Sequence, residues 1–326
     1  MNQTGKKQEP ISSLYVLKAL CAFFVVITHS SMLYRDELLF LYRIAVPCFF
    51  AISGYFLYRN NAEAEISKAW NWTRKIFTFL IALSLLHAAF FAFWYGRTYS
   101  LHSLVYCLAV GSVPAVPLWY LAAFYQAMIL FIVLRRMRLW GVWIIPIAIL
   151  LDYLYRWLLF PNLFSAVEVW RYFQPLIALM FVGVGYFSAK YKSETLSPVI
   201  GFAVIVISLF ILALLANYIQ PDDRAPLCME MKRILYATFV FGIMSLSSRY
   251  KSFGHPLLVY IGKCHSANIY YYHIIIKTLI VAACASVFSL HVESFSPLIT
   301  FPCALAFSIL ICYVQSLWKR RNSVNG

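Results

Sequence analysis

Lys18 and His29 stand eleven residues apart within one apolar run, LKALCAFFVVITHS. A helix turns about 100° per residue, so that spacing returns to within about 20° of the same face, about 16 Å further along the axis. One side of such a helix carries an ammonium near one end and an imidazole near the other, and Asp36 continues that face seven residues later. Ser266, Tyr270, His273 and Lys277 follow spacings of four, three and four, which also share one helical face. An imidazole exchanges protons near neutral pH and suits general acid–base work. A cation beside it suits an anionic or polarised ligand. A third set, Arg43, Glu168 and Arg171, gathers at the opposite mouth from Lys18 and suits a polar acceptor. Trp119, Tyr120 and Tyr125 adjoin it, beside a proline-rich break that opens a cavity. Plainer readings stand beside these. Lys18 snorkels to headgroups, His29 packs as a hydrogen-bonded core residue, and the second stripe glues helices together. Arg43, Glu168 and Arg171 read equally well as ordinary interfacial charges, and for Asp152 and Arg156, four apart, that reading is preferred.

These side chains need elements built for lipid. The 326 residues are 63% hydrophobic and 12% charged, against roughly a half and a quarter in soluble domains. Apolar stretches at 14–34, 41–58, 76–95, 116–134, 139–159, 172–189, 197–217, 233–248, 266–288 and 298–318 are each read as crossing a hydrocarbon core about 30 Å thick. The segment 103–115, broken by Gly111, Pro114 and Pro117, is left out of that count. The expected fold is all-α: one polytopic integral membrane helical bundle over 1–326, with about ten transmembrane helices and short tails at 1–13 and 319–326. The first apolar run lacks a small-residue cleavage site and is read as a retained helix, not a signal peptide. Continuous apolar runs exclude a period-two β-barrel.

Lys and Arg orient the bundle. Of the 27, seventeen fall on the even-numbered connections and the termini, from Lys6 and Lys7 through Arg135 and Arg136 to Arg321, and eight on the odd ones, Arg43, Arg156 and Arg233 among them. That bias places both ends in the cytosol and explains most of the +15 charge without nucleic acid. The eight cysteines show no CxxC or metal-type spacing and are read as small core residues, with no metal site. No helix shows a clear small-xxx-small face, so a homodimer stays open.

Four passages in order resemble the membrane acyltransferase-3 superfamily: Lys18 to His29; Arg43-Ile-Ala-Val-Pro-Cys-Phe-Phe-Ala-Ile-Ser-Gly-Tyr-Phe-Leu; Pro117-Leu-Trp-Tyr-Leu; and Ile261-Gly-Lys-Cys-His-Ser-Ala-Asn-Ile-Tyr-Tyr-Tyr-His. The family's usual residue in the first passage is arginine; Lys18 keeps the charge and loses bidentate geometry. The resemblance implies an O-acyltransferase of the bacterial inner (plasma) membrane. Such an enzyme moves an acyl group, most simply acetyl, from cytosolic acyl-CoA to a hydroxyl of a cell-surface or lipid-linked glycan. It implies His29 as general base, or as the carrier of an acyl-histidine, with His273 as a second catalytic group. Lys18, Lys277, Tyr270 and Ser266 then face the acyl-CoA, and Arg43, Trp119, Tyr120, Tyr125, Glu168 and Arg171 face the acceptor. The expected partners are membrane lipid, the coenzyme A thioester as co-substrate, and the glycan or glycolipid. The rival reading is a glycan transporter or flippase, against which the halves show no inverted repeat.

Overall fold

The apolar runs fold as helices, and no strand occurs among the described residues. A computed structural model describes residues 11–30, 38–111, 115–155, 174–217, 226–288 and 296–324. In chain order the helices are α1 (Ser12–Thr28), α2 (Leu39–Tyr42), α3 (Ala45–Leu57), α4 (Ala62–Tyr95), α5 (Leu101–Val110), α6 (Trp119–Arg136), α7 (Ile144–Tyr153), α8 (Pro175–Lys190), α9 (Pro198–Asn217), α10 (Pro226–Arg249), α11 (Pro256–Tyr260), α12 (Ser266–Phe288) and α13 (Ser296–Val324). A 3₁₀ turn, Val116–Leu118, leads into α6, and a single π-helical turn, Ile261–His265, joins α11 to α12.

Local chemistry sets the helix ends. Helices α8, α9, α10 and α11 each begin on a proline, whose missing N–H is not needed in the first turn. Helix α4 starts well before the apolar run at 76, because the Asn61 side chain accepts from the Glu63 and Ala64 N–H groups and Glu63 and Glu65 occupy the first turn. Helix α5 stops at Gly111, which takes φ +75° where a Cβ would come 2.6 Å from the Leu118 carbonyl oxygen.

All ten apolar runs contain helix, but among the described residues six helical segments are long and apolar enough to cross by length and composition: Leu39–Leu57, Ala62–Tyr95, Val116–Arg136, Pro198–Ala216, Pro256–Cys284 and Ser296–Trp318. Helices α1 and α8, of 17 and 16 residues, reach about 24–26 Å, and the ten residues of α7 about 15 Å. Helix α10 is 24 residues long but carries Glu230, Lys232 and Arg233 near its start. Of these, α1 and α8 lie inside, every α8 residue from Ile177 to Ser188 being buried, whereas α7 buries Ile144, Ala148 and Asp152 and exposes Ile147, Leu150, Leu151 and Tyr153. Lipid-type surface belongs to outer helices, with Phe202, Phe210, Leu310 and Trp318 all exposed. The cysteines divide likewise: Cys21, Cys48 and Cys228 are buried, whereas Cys264 and Cys303, expected in the core, are exposed.

Helices α3 and α8 form the tightest pair. A Cβ on Gly54 would lie 2.0 Å from the Val182 carbonyl oxygen, and one on Gly185 would lie 1.7 Å from that of Ala51. Backbones meet here without side chains between them, as small residues allow in membranes. Gly185→Ala is expected to lower stability by about 1–3 kcal/mol through overpacking, read as a lower apparent melting temperature in detergent.

Two buried charge clusters brace the bundle. Glu65, fully buried, takes Arg135 Nε at 2.8 Å, the Tyr186 hydroxyl at 3.0 Å and the Arg59 N–H at 2.9 Å, tying α4 to α6, α8 and the α3–α4 link. Asp152 of α7 accepts from Arg233 of α10 at 2.5 Å, and Glu230 pairs with the same guanidinium. This replaces two expectations. Asp152 is not an interfacial charge but 1% exposed, and Arg233 is not in an outward loop but 8% exposed within a helix. Arg156, the partner expected for Asp152, lies outside the described residues.

Candidate functional site

Helices α1 and α12 run side by side in the same direction: Tyr15 lies against Gly262 near their beginnings, and the His29 and His273 rings meet further along. Each carries a polar group near its start and others eleven residues on, Lys18 to His29 and Ser266 to Lys277. A shared axis therefore brings both stripes together at two levels about 16 Å apart.

At the first level is a cavity of ≈ 190 Å³ lined by Lys18, Phe49, Ile52, Ser53, Phe56, Trp72, Tyr120, Ser266, Ala267, Tyr270 and Tyr271. The half-buried Lys18 makes no hydrogen bond or ion pair with any described residue, so a charge inside an apolar bundle faces open space. Ser266 Oγ donates to the Gly262 carbonyl at 2.8 Å, within the π turn. Phe49, Ile52, Ser53 and Phe56, which the sequence reading left unassigned, follow the i, i+3, i+4, i+7 rhythm of one face of α3.

At the second level the His29 and His273 ring centroids are 5.3 Å apart. His29 is not within α1, as its apolar run suggested, but is the residue that caps it, with φ −97° and ψ 10°. This is the bridge region, where many active-site residues sit. The Lys277 ammonium donates to the His29 carbonyl at 2.7 Å. It thereby satisfies an acceptor left over at the helix end and favours the negative end of the helix dipole. His273 is 1% exposed, with Nδ1 2.7 Å from the Tyr270 carbonyl oxygen. A carbonyl only accepts, so Nδ1 holds the proton and Nε2 presents a lone pair. That buried Nε2 has no hydrogen-bond partner among the described residues. The Tyr270 hydroxyl donates to the Pro117 carbonyl at 2.6 Å, which joins α12 to the turn before α6.

The matching family, described as an acyltransferase domain, covers residues 11–316. The chain belongs to the acyltransferase-3 family. That membership, with its apolar helices, makes it a multi-pass membrane acyltransferase. No curated protein and no solved structure matches it.

The acyltransferase gathers some of the expected site residues and disperses others. Lys18, Ser266, Tyr270 and Tyr120 share the cavity wall; His29, His273 and Lys277 form the second level. Tyr120, expected at the acceptor mouth, thus sits on the same cavity as Lys18. Trp119 packs edge-on against Phe50, centroids 6.4 Å apart. Tyr125 turns to α5, its hydroxyl donating to the Leu108 carbonyl at 2.6 Å. Arg43 is exposed in the turn between α2 and α3. Glu168, Arg171 and Asp36 lie outside the described residues.

Proposed function

We propose that this acyltransferase moves a short acyl group, most simply acetyl, from cytosolic acyl-CoA to a hydroxyl of an envelope glycan. In this reading it crosses the bacterial inner membrane ten times, with both ends inside. The observation that carries it is the stacking of an open-faced cation below two apposed imidazoles on one pair of helices. Coenzyme A phosphates are excluded from hydrocarbon, so they stay at the basic end while the slender pantetheine arm enters past Lys18.

His29 then serves as general base. It takes the acceptor hydroxyl proton as that oxygen attacks the thioester carbonyl carbon; the C–S bond breaks, and the leaving thiolate recovers the proton from the imidazolium. The new ester stays on the acceptor and free coenzyme A returns to the cytosol. In this scheme His273, with its unprotonated Nε2, accepts a hydrogen bond from the acceptor or from protonated His29. No metal enters the scheme.

Lys18→Ala tests the donor side. Loss of a charge-assisted contact of about 1.5–3 kcal/mol weakens acyl-CoA binding about tenfold or more, and the affinity left over falls less steeply with added salt than in the native protein. Unchanged affinity at low salt returns Lys18 to a headgroup anchor. Consumption of labelled acyl-CoA with an ester appearing on the acceptor separates this reading from a transporter, which moves the glycan and leaves the thioester intact.

A further inference from the structure

A second recess opens on the exposed side of α4 and shares no residue with the cavity. This open groove of ≈ 380 Å³ is lined by Asn71, Arg74, Lys75, Thr78 and Phe79, all five exposed. It holds two cations and no carboxylate. Arg74 and Lys75 stand directly before the apolar run that begins at 76, the level at which a helix passes from headgroups into hydrocarbon. The face then changes character along one line. Phe79, Ala82 and Leu86 lie four, seven and eleven residues beyond Lys75 and are all exposed, within about 40° of it around the helix. Leu86 is about 16 Å from Lys75 along the axis, the depth of one leaflet of a core about 30 Å thick. The groove also reaches the site. Phe79 stacks on Tyr271 with centroids 6.1 Å apart, and Tyr271 lines the cavity together with Lys18.

Going beyond the acyl-transfer reading, we propose that this groove seats an anionic phospholipid, its phosphate between Arg74 and Lys75 and one acyl chain along Phe79, Ala82 and Leu86. An arginine fork matches two phosphate oxygens and a lysine supplies a point charge, while the Asn71 amide adds a neutral donor. The Thr78 hydroxyl donates to the Arg74 carbonyl at 3.0 Å, so its proton is not offered to the phosphate. Two cations with no counter-charge repel the ammonium of a zwitterionic headgroup and favour a headgroup of net negative charge. The nucleotide end of coenzyme A also carries phosphate, but it continues into hydroxyl-bearing ribose and a water-soluble arm. This groove leads from cations to a ring and aliphatic side chains, the order of groups in a lipid. A lipid bound there packs on Phe79 and braces the Tyr271 wall of the cavity.

Native mass spectrometry of the purified full-length protein, delipidated in detergent, compares binding of dioleoyl phosphatidylglycerol with that of phosphatidylcholine of the same chains. The native protein is expected to bind phosphatidylglycerol about fivefold or more tightly, the attraction of at least one cation near an anionic lipid surface. Arg74→Gln with Lys75→Gln brings the two lipids to within about twofold of each other. Both side chains are exposed, so this variant keeps its fold, checked by its melting temperature. Arg136→Gln with Lys190→Gln removes the same charge from exposed positions elsewhere and keeps the preference. A native protein without preference, a groove variant that retains it, or equal loss in both variants overturns the site, the last by showing that surface charge alone attracts the lipid. A groove variant that binds lipid as the native protein does, yet loses affinity for coenzyme A and not for dephospho-coenzyme A, also overturns it and assigns the groove to the donor phosphate. Each outcome is read without acyl transfer taking place.

Discussion

His29→Ala is expected to lower acyl transfer by roughly 10²- to 10⁴-fold, the usual contribution of a positioned general base, with acyl-CoA affinity almost unchanged. The split follows from the two levels of the site. On the proposed reading Lys18 and the cavity hold the donor, whereas His29 caps α1 about 16 Å further along and meets His273 instead of the cavity wall. The backbone at His29 is fixed by Lys277, so losing the ring leaves its support in place and the melting temperature near native. Near-native transfer by folded His29→Ala protein eliminates His29 as the base. Chemical quenching of native protein mixed with labelled acetyl-CoA and no acceptor separates two mechanisms. Label bound to the protein and absent in His29→Ala indicates an acyl-histidine; label only in acetyl-CoA or free acetate indicates direct attack.

The largest effect on stability is expected at Arg233. Its guanidinium sits between the carboxylates of Asp152 and Glu230, all three buried. Arg233→Met leaves two like charges with their shared cation gone, and removing one partner from a buried ion pair costs about 3–5 kcal/mol. The variant should be recovered poorly or melt well below native. Neutralising all three, as Asp152→Asn, Glu230→Gln and Arg233→Met together, should recover much of that loss, because apolar or neutral replacement of a whole buried ionic cluster is often tolerated. A triple variant no better than Arg233→Met alone shows that the charges hold α7 to α10 by more than mutual compensation.

Helix content was legible because lipid demands long apolar runs, and every such run contains helix. The shared faces of 18–29 and 266–277 were legible because helical period is arithmetic, and it brought Lys18, Ser266, Tyr270, His29 and His273 to one side of two adjacent helices. Helix ends were not: α4 begins on a polar cap that hydropathy ignores, and α1 stops one residue before His29. Nor was burial. Short α1 and α8 are wrapped by other helices, so the apolar character that suggested lipid faces protein instead. The Arg233 cluster joins residues about eighty positions apart, a pairing no local pattern encodes. The α3 wall of the cavity was visible only as the period of Phe49, Ile52, Ser53 and Phe56, which by itself is ordinary helix packing.

Sidedness tests the central claim most directly. Inverted membrane vesicles from cells producing the protein, with their envelope glycan enclosed, are given acyl-labelled acetyl-CoA from outside. Transfer through the bundle predicts labelled glycan inside the vesicles, resistant to added esterase until detergent is supplied, and absent with His29→Ala. Labelled glycan wholly open to esterase before detergent, or the same enclosed label with and without His29, contradicts it.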